Sequence, residues 1–347
     1  MMKKIELNSK EIAEIAGVSR STVSRVINNY PNVPPKTREK VMKVIEQYGY
    51  TPNISARALA GKKTKTLGLF FIDQWQFSKD SSANMLITSV IENASTYGYI
   101  VLTSVVRDLK QPESMKNVKE MFYQGSITAG IFIGAENHEP VIEELIAEGF
   151  IIGVIDQVLP GRNEPNRIVY NLNNEQAAKQ AVDYLAGLNH TKIGIINGDL
   201  KKAAANFKFK GFISQMEHHG LDINKAWIMY GHYEAGGYEV MSNLLSNSKE
   251  LPTAVFAAND SLAFGAIRAI HDHSLKVPDD ISVIGMNDQV LSAYYKPALT
   301  TFKVNYELLT AGITQSVIHT IENGALDQRI AVSFDCTLIE RESCKRV

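Results

Sequence analysis

From residue 66 onward the chain alternates short apolar runs with helix-length segments, and this rhythm narrows the possible folds more than any other feature. LGLFFI (67–72), YIVLTSVV (99–106), AGIFIGA (129–135) and FIIGVID (150–156) read as buried strands. The pattern recurs in KIGIING (192–198), AWIMYG (226–231), AVFAAN (254–259) and ISVIGM (281–286). Strands separated by helices form βαβ units, and two such series form two doubly wound parallel-sheet halves. Sheets of this kind bind ligands just beyond the carboxyl ends of their strands. Asp156 follows one run, Asn259 and Asp260 a second, Asn287 and Asp288 a third. Such side chains can hold a sugar, and they also cap helices; capping is the role expected of Asp260.

The first fifth of the chain has another character. Asn8 and Glu11 stand at the spacing of a capping box, with Leu7 and Ile12 placed for a hydrophobic staple. Ile12, Ile15 and Ala16 give the helix that follows one apolar side, Gly17 supplies a sharp turn, and Ser19 can cap a second helix. In that second helix Val23, Val26 and Ile27 form a stripe at i, i+3 and i+4, while Arg20, Ser21, Ser24, Arg25 and Asn28 share the opposite face. Two guanidinium groups, two hydroxyls and a carboxamide can reach base edges and phosphates in a major groove, so this reads as the recognition helix of a helix-turn-helix. A third helix begins near Pro35, with Val41, Val44, Ile45 and Tyr48 as its stripe and Gly49 at its end.

Charge separates the two regions. Residues 1–65 hold 13 Lys and Arg against 5 Asp and Glu, whereas the whole chain has a net charge of -1. A basic head on an acidic body is the electrostatic footprint of a nucleic-acid-binding module. Between them, NISARALAGKK (53–63) carries helix formers after the possible cap Asn53, but it is too short to be helical alone. It reads either as a helix that forms on DNA or as a flexible linker.

Residues 8–63, with AEIAGVSRSTVSRVINN, TREKV and YGYTPNISARALAG, resemble the DNA-binding head and hinge of the lactose repressor/galactose repressor family of bacterial transcription regulators. The resemblance implies that Arg20, Ser21 and Arg25 read bases. It also implies that Ser19, Thr22, Ser24 and Asn28 hold phosphates, that Asn53 belongs to the DNA-binding hinge, and that Leu59 wedges into the minor groove. Pro34 stands where the family usually has a small polar residue, a change expected to affect capping only.

The body is similar to the same family through LNHTKIGIING (188–198), FKGF (209–212), FAANDSLAFGAIRAI (256–270), VPDDISVIGMND (277–288) and PALTTFKVN (297–305). The implied fold is an α/β chain: an all-α helix-turn-helix head (1–52), a hinge helix and linker (53–65), and a periplasmic-binding-protein-like core of two subdomains. The first subdomain would take 66–165 plus 295–325, the second 166–294 plus 326–347, with three strands crossing between them. The pocket departs from the family at Lys208, usually arginine, and at Asn287, usually aspartate. Trp75 and Phe77, in the altered loop 73–82, and Tyr233 could each offer an aromatic face to a ligand. The expected effector residues are therefore Phe77, Asp156, Lys208, Tyr233, Asn259 and Asn287.

The sequence lacks the G-x-G-x-x-G and P-loop fingerprints, metal spacing among its eight histidines, and a nucleophile elbow, so neither catalysis nor a cofactor is expected. Cys336 and Cys344 form no ligand cluster. The N-terminal residues have no signal-peptide pattern, and no run is long enough to span a membrane, which points to the cytoplasm. No heptads follow LIERE (338–342), so a homodimer is expected rather than a coiled-coil tetramer. The expected protein is a ligand-responsive repressor of carbohydrate genes that binds double-stranded operator DNA. A regulator answering to a purine or protein corepressor is the alternative, with a sugar-binding transport receptor as the reading from another class.

Overall fold

The computed structural model describes residues 7–27, 30–50, 64–72, 81–325 and 327–347. Residues up to Thr64 and those from Lys65 onward form separate compact units.

The first unit is a three-helix head: α1 (Ser9–Ile15), α2 (Arg20–Ile27) and α3 (Pro35–Tyr48). The capping box forms as predicted. The Asn8 side chain accepts from the backbone N–H groups of Lys10 and Glu11, and Glu11 Oε2 accepts from Asn8 N at 2.6 Å. Gly17 turns the chain with φ 58°, a left-handed value that a side chain would oppose. Ser19 Oγ then accepts from Thr22 N at 3.1 Å and caps α2. Ile12, Ala13, Ala16, Val23, Val26, Val33, Val41 and Val44 make the core, with Leu7 packed against it. Two expected stripe members are instead exposed, Ile15 and Tyr48, because each lies beyond the edge of this small three-helix contact. Pro34 precedes α3 without a side-chain cap, as its sequence implied.

The second unit has two α/β halves. The first contains β1 (Thr66–Ile72), α4 (Ser81–Thr96), β2 (Ile100–Val106), α5 (Pro112–Tyr123), β3 (Ala129–Ile133), α6 (Pro140–Ala147), β4 (Ile151–Ile155) and β5 (Arg167–Leu172). The chain then enters the second half with α7 (Asn174–Gly187), β6 (Ile193–Asn197), α8 (Ala203–His218), β7 (Ile228–Tyr230), α9 (Tyr233–Asn247), β8 (Ala254–Ala257), α10 (Asp260–Asp272) and β9 (Ser282–Ile284). After β10 (Thr301–Lys303) it returns through α11 (Tyr306–Asn323) and β11 (Ile330–Phe334), and β12 (Thr337–Ile339) leads back again.

The first sheet runs β11-β5-β4-β3-β1-β2 and the second β7-β6-β8-β9, both parallel throughout. This corrects the boundaries drawn at 165 and 325: residues 167–172 and 330–334 pair in the first sheet, so they belong to the first half. RIVYNL escapes a strand reading because its apolar run is bracketed by Arg167 and Asn171. The second crossing also comes later than residue 295, since Leu299 still packs in the core of the second half. Three segments do cross. β10 and β12 pair antiparallel, and Asn173 N donates to Phe334 O beside the third. β2 departs from its buried reading as well, because it is the edge strand and leaves Ile100, Leu102 and Val105 exposed.

Candidate nucleic-acid interface and effector cavity

In the head, burial of Val23 and Val26 fixes the rotation of α2, and the opposite face therefore meets solvent. Ser19, Arg20, Ser21, Ser24 and Arg25 are exposed, and Thr22 is half-buried. Ser19 Oγ lies 2.7 Å from Ser21 Oγ and 2.8 Å from Thr22 Oγ1, which forms a small hydroxyl cluster at the helix start. Arg20 is partly engaged already, since its Nε donates to Ser9 Oγ at 2.9 Å, and this ties the recognition helix to the start of α1. Arg38, which the sequence did not single out, reaches from α3 to the Val26 and Tyr30 carbonyls, supporting the chain just after α2. Asn28, Asn53 and Leu59 lie outside the described residues.

In the core, the carboxyl ends of strands from both halves face a cavity of about 350 Å³. It is lined by Asp156 after β4, Lys208 on α8, Asn259 after β8 and Asn287 after β9, so the four described effector candidates meet in one place. Phe77 and Trp75 lie outside the described residues, as does the side chain of Tyr233.

Each candidate is held by its backbone surroundings. Asp156 adopts φ 62° and its Oδ1 accepts from Leu172 N at 3.0 Å and Asn174 Nδ2 at 3.3 Å. Burial pushes its carboxyl above the usual carboxylate range, while those hydrogen bonds and the Lys208 charge pull the other way. Lys208 Nζ donates to Ala258 O at 2.9 Å. Asn259 caps α10, its Oδ1 accepting from Leu262 N at 2.8 Å. Asn287 has φ 119°, and its N–H donates to Phe302 O.

Asp260 is not the cap it was expected to be, because Asn259 already occupies that position. It is fully buried and accepts from Gln289 N, Ser292 Oγ and Thr301 Oγ1, pinning the loop after β9 and the crossing strand β10 to the start of α10. Gly285 makes room for this, since a Cβ there would stand 2.3 Å from Asp260 Oδ1. Burial pushes the Asp260 carboxyl up, and the three hydrogen bonds oppose that.

Several cavity residues were not recognised in the sequence. Lys202, just before α8, donates from Nζ to Ile72 O and Gly134 O, the carbonyls at the ends of β1 and β3, and so spans the two halves. Glu139, at the start of α6, is buried, which pushes its carboxyl up, and the neighbouring Glu136 charge adds to the effect. Asn197 ends β6, where the strand-end rule applied to KIGIING could have found it; Asn174 follows β5, the strand the sequence concealed.

Among the described residues, no group of three His, Cys, Asp or Glu side chains could hold a metal ion, and no helix is long and apolar enough to cross a membrane. Both cysteines are free, and burial pushes the Cys336 thiol up to about 11.

Residues 9–53 match the model of the bacterial regulatory proteins, lacI family, and residues 182–344 match a periplasmic binding protein-like domain. The chain is 35% identical over 346 residues to the HTH-type transcriptional repressor PurR of Haemophilus influenzae (strain PittEE), covering 97% of this chain and 98% of that protein. It is 31% identical over 321 residues to the probable HTH-type transcriptional repressor ExuR of Bacillus subtilis (strain 168), covering 90% and 91%. Its fold is similar to that of the lac repressor dimer bound to operator and the anti-inducer ONPF, with TM-score 0.83 at 24% identity over 98% of this chain and 99% of that one. The CelR–cellobiose complex has TM-score 0.73 at 22% identity, covering 97% and 99%. With a helix-turn-helix head, a two-half α/β core and relatives of this identity along nearly its whole length, the chain belongs to the lacI family of bacterial regulatory proteins and is a DNA-binding transcriptional regulator.

Proposed function

We propose that the protein is an effector-responsive repressor that binds an inverted-repeat operator as a homodimer. The observation that carries this reading is the exposed polar face of α2, where Arg20, Ser21, Ser24 and Arg25 stand on a helix whose other face is locked into the head core. On this reading Arg20, Ser21 and Arg25 meet base edges, while Ser19, Thr22, Ser24 and Asn28 meet phosphates. Asn53 and Leu59 belong to a hinge that becomes helical on DNA, with Leu59 prising open a central step. A dimer is supported by the exposed apolar side chains of the β2 edge, Ile100, Leu102 and Val105, with Met85 and Ile91 of α4 exposed in the same half.

The cavity is the effector site, with Asp156, Lys208, Asn259 and Asn287 as its polar contacts and Phe77 and Tyr233 as aromatic candidates. A carbohydrate is our reading of the effector. The names of the relatives do not agree on one ligand, since PurR, ExuR and a cellobiose complex all occur among them, and a purine remains the alternative. Selection of bound sequences from a random duplex library by the purified full chain tests the regulator reading. A two-fold symmetric consensus is the expected result, because a symmetric dimer imposes its symmetry on its site; recovery of unrelated sequences at equal affinity would refute it.

A further inference from the structure

The cavity contains acceptors that none of the strand-end candidates accounts for. Among the described residues, Glu139 Oε1, Asn174 Oδ1 and Asn197 Oδ1 are buried side-chain atoms without a hydrogen-bond partner, and all three residues line this cavity. The residues are only 3%, 2% and 0% exposed. Proteins satisfy nearly all buried polar atoms, so three orphans around one space call for an occupant.

Their chemistry says what that occupant must offer. Asn197 Nδ2 donates to Ala205 O at 2.9 Å, and Asn174 Nδ2 donates to Leu172 O and Asp156 Oδ1, both at 3.3 Å. Turning either amide over would set oxygen against oxygen, so both orphan atoms are fixed as acceptors. Glu139 stands at the head of α6, yet its side chain makes no cap bond to the helix. It comes from the first half, Asn197 from the second, and Asn174 from the start of the helix after the first crossing. A ligand that serves all three therefore bridges the halves.

We propose that Glu139, Asn174 and Asn197 are the specificity-determining acceptors of the effector site, and that they select a small polyhydroxylated ligand that donates an O–H to each. The proposal rests on reading the cavity as the effector site. A ring bearing several hydroxyls can donate to three acceptors while its own lone pairs accept from the Lys208 ammonium. Hypoxanthine carries fewer N–H donors than this set requires.

Calorimetric titration of the full chain with D-glucose, D-galactose, D-ribose, D-glucuronate and hypoxanthine tests the assignment, using wild type, Glu139→Leu and Asn197→Ala. At least one of the sugars should bind the wild type and bind each variant about tenfold or more weakly, the loss expected when a hydrogen bond to a buried polar partner is removed. Ligand-free Glu139→Leu should melt close to wild type, because the unsatisfied buried acceptor it removes offsets the backbone hydrogen bond with Glu136 that it loses; this separates recognition from folding, and Asn197→Ala supplies an independent reading. Sugar binding at wild-type affinity in both variants would mean that water serves these acceptors, and would overturn the proposal. A wild type that takes hypoxanthine, or binds none of the sugars, overturns it too. Operator selection by the same preparation is read separately, so intact selection without sugar binding fails this proposal and not the regulator reading.

Discussion

Arg25 and Arg20 share one face of α2 but not one situation. Both are exposed, but Arg20 is tethered to Ser9 Oγ, so the side chain we propose as a base reader also ties α2 to the start of α1. Replacing Arg25 by Ala should cost about 1 to 3 kcal/mol on the matched operator and relax base preference at one position per half-site. Equal losses on matched and scrambled duplexes in anisotropy titrations would reduce it to a phosphate contact. At the other end of the burial scale stands Arg167, with no exposed surface. Its guanidinium donates to both Glu143 oxygens at 3.0 and 2.7 Å, to Glu164 Oε2 at 3.0 Å and to Gln157 Oε1 at 2.9 Å. Arg167→Ala removes the buried cation and leaves Glu143 and Glu164 only the more exposed Arg162, 3.7 and 3.2 Å away, so it should destabilise the core by about 2 to 4 kcal/mol in denaturant melts. Burial works to raise the Glu164 carboxyl, but hydrogen bonding and charge from Arg167 outweigh it and hold the group below its ordinary value. Its contribution to stability is therefore present above the unfolded-state value and is lost as pH falls through the lowered folded-state value, so acid melts of Arg167→Ala should show a smaller pH dependence, the remainder coming from the Glu164 backbone hydrogen bond and the Arg162 charge.

At the scale of elements, legibility followed the strength of the local signal. The capping box at Asn8 and Glu11, the turn at Gly17 and the Ser19 cap are short-range devices that a sequence states directly, and all three are present. The eight apolar runs were likewise found as strands, with β7 preceded by a tight turn at Lys225–Trp227. What failed depended on partners distant in sequence. β5 was missed because its pairing with β4 and β11, and not a long apolar run, makes it a strand. β2 was found but judged buried, since a run of apolar residues reads the same at the centre of a sheet and at its edge. The cavity was half legible: Asp156, Lys208, Asn259 and Asn287 follow from strand ends and family positions, whereas Glu139 and Lys202 act through neighbours that only the folded chain supplies. The β2 edge carries its own test. Leu102→Glu places a charge on an exposed apolar strand that we assign to the dimer contact, so sedimentation should show a shift from dimer to monomer with little loss of core melting temperature. A variant that remains dimeric would move the interface elsewhere.

The halves of the core meet at three crossings, and on the effector-responsive reading the effector must prefer one arrangement of those halves. If operator and effector are linked, each must change the other's affinity by the same factor, typically about 5- to 150-fold. The Lys202 ammonium bears on that coupling: it reaches from the second half to the carbonyl oxygens of Ile72 and Gly134 in the first. Those carbonyls mark the strand ends where a ligand would settle, so the protein supplies its own occupant for part of the site. On the effector-site reading, Lys202 would act as a built-in competitor toward any ligand that uses these carbonyls, which would have to displace a charge delivered by the chain itself. An internal competitor lowers apparent affinity by the fraction of time it is seated. Lys202→Met should therefore lower the effector dissociation constant and speed association in stopped-flow mixing, and an unchanged rate would mean that the ammonium and the ligand are accommodated side by side.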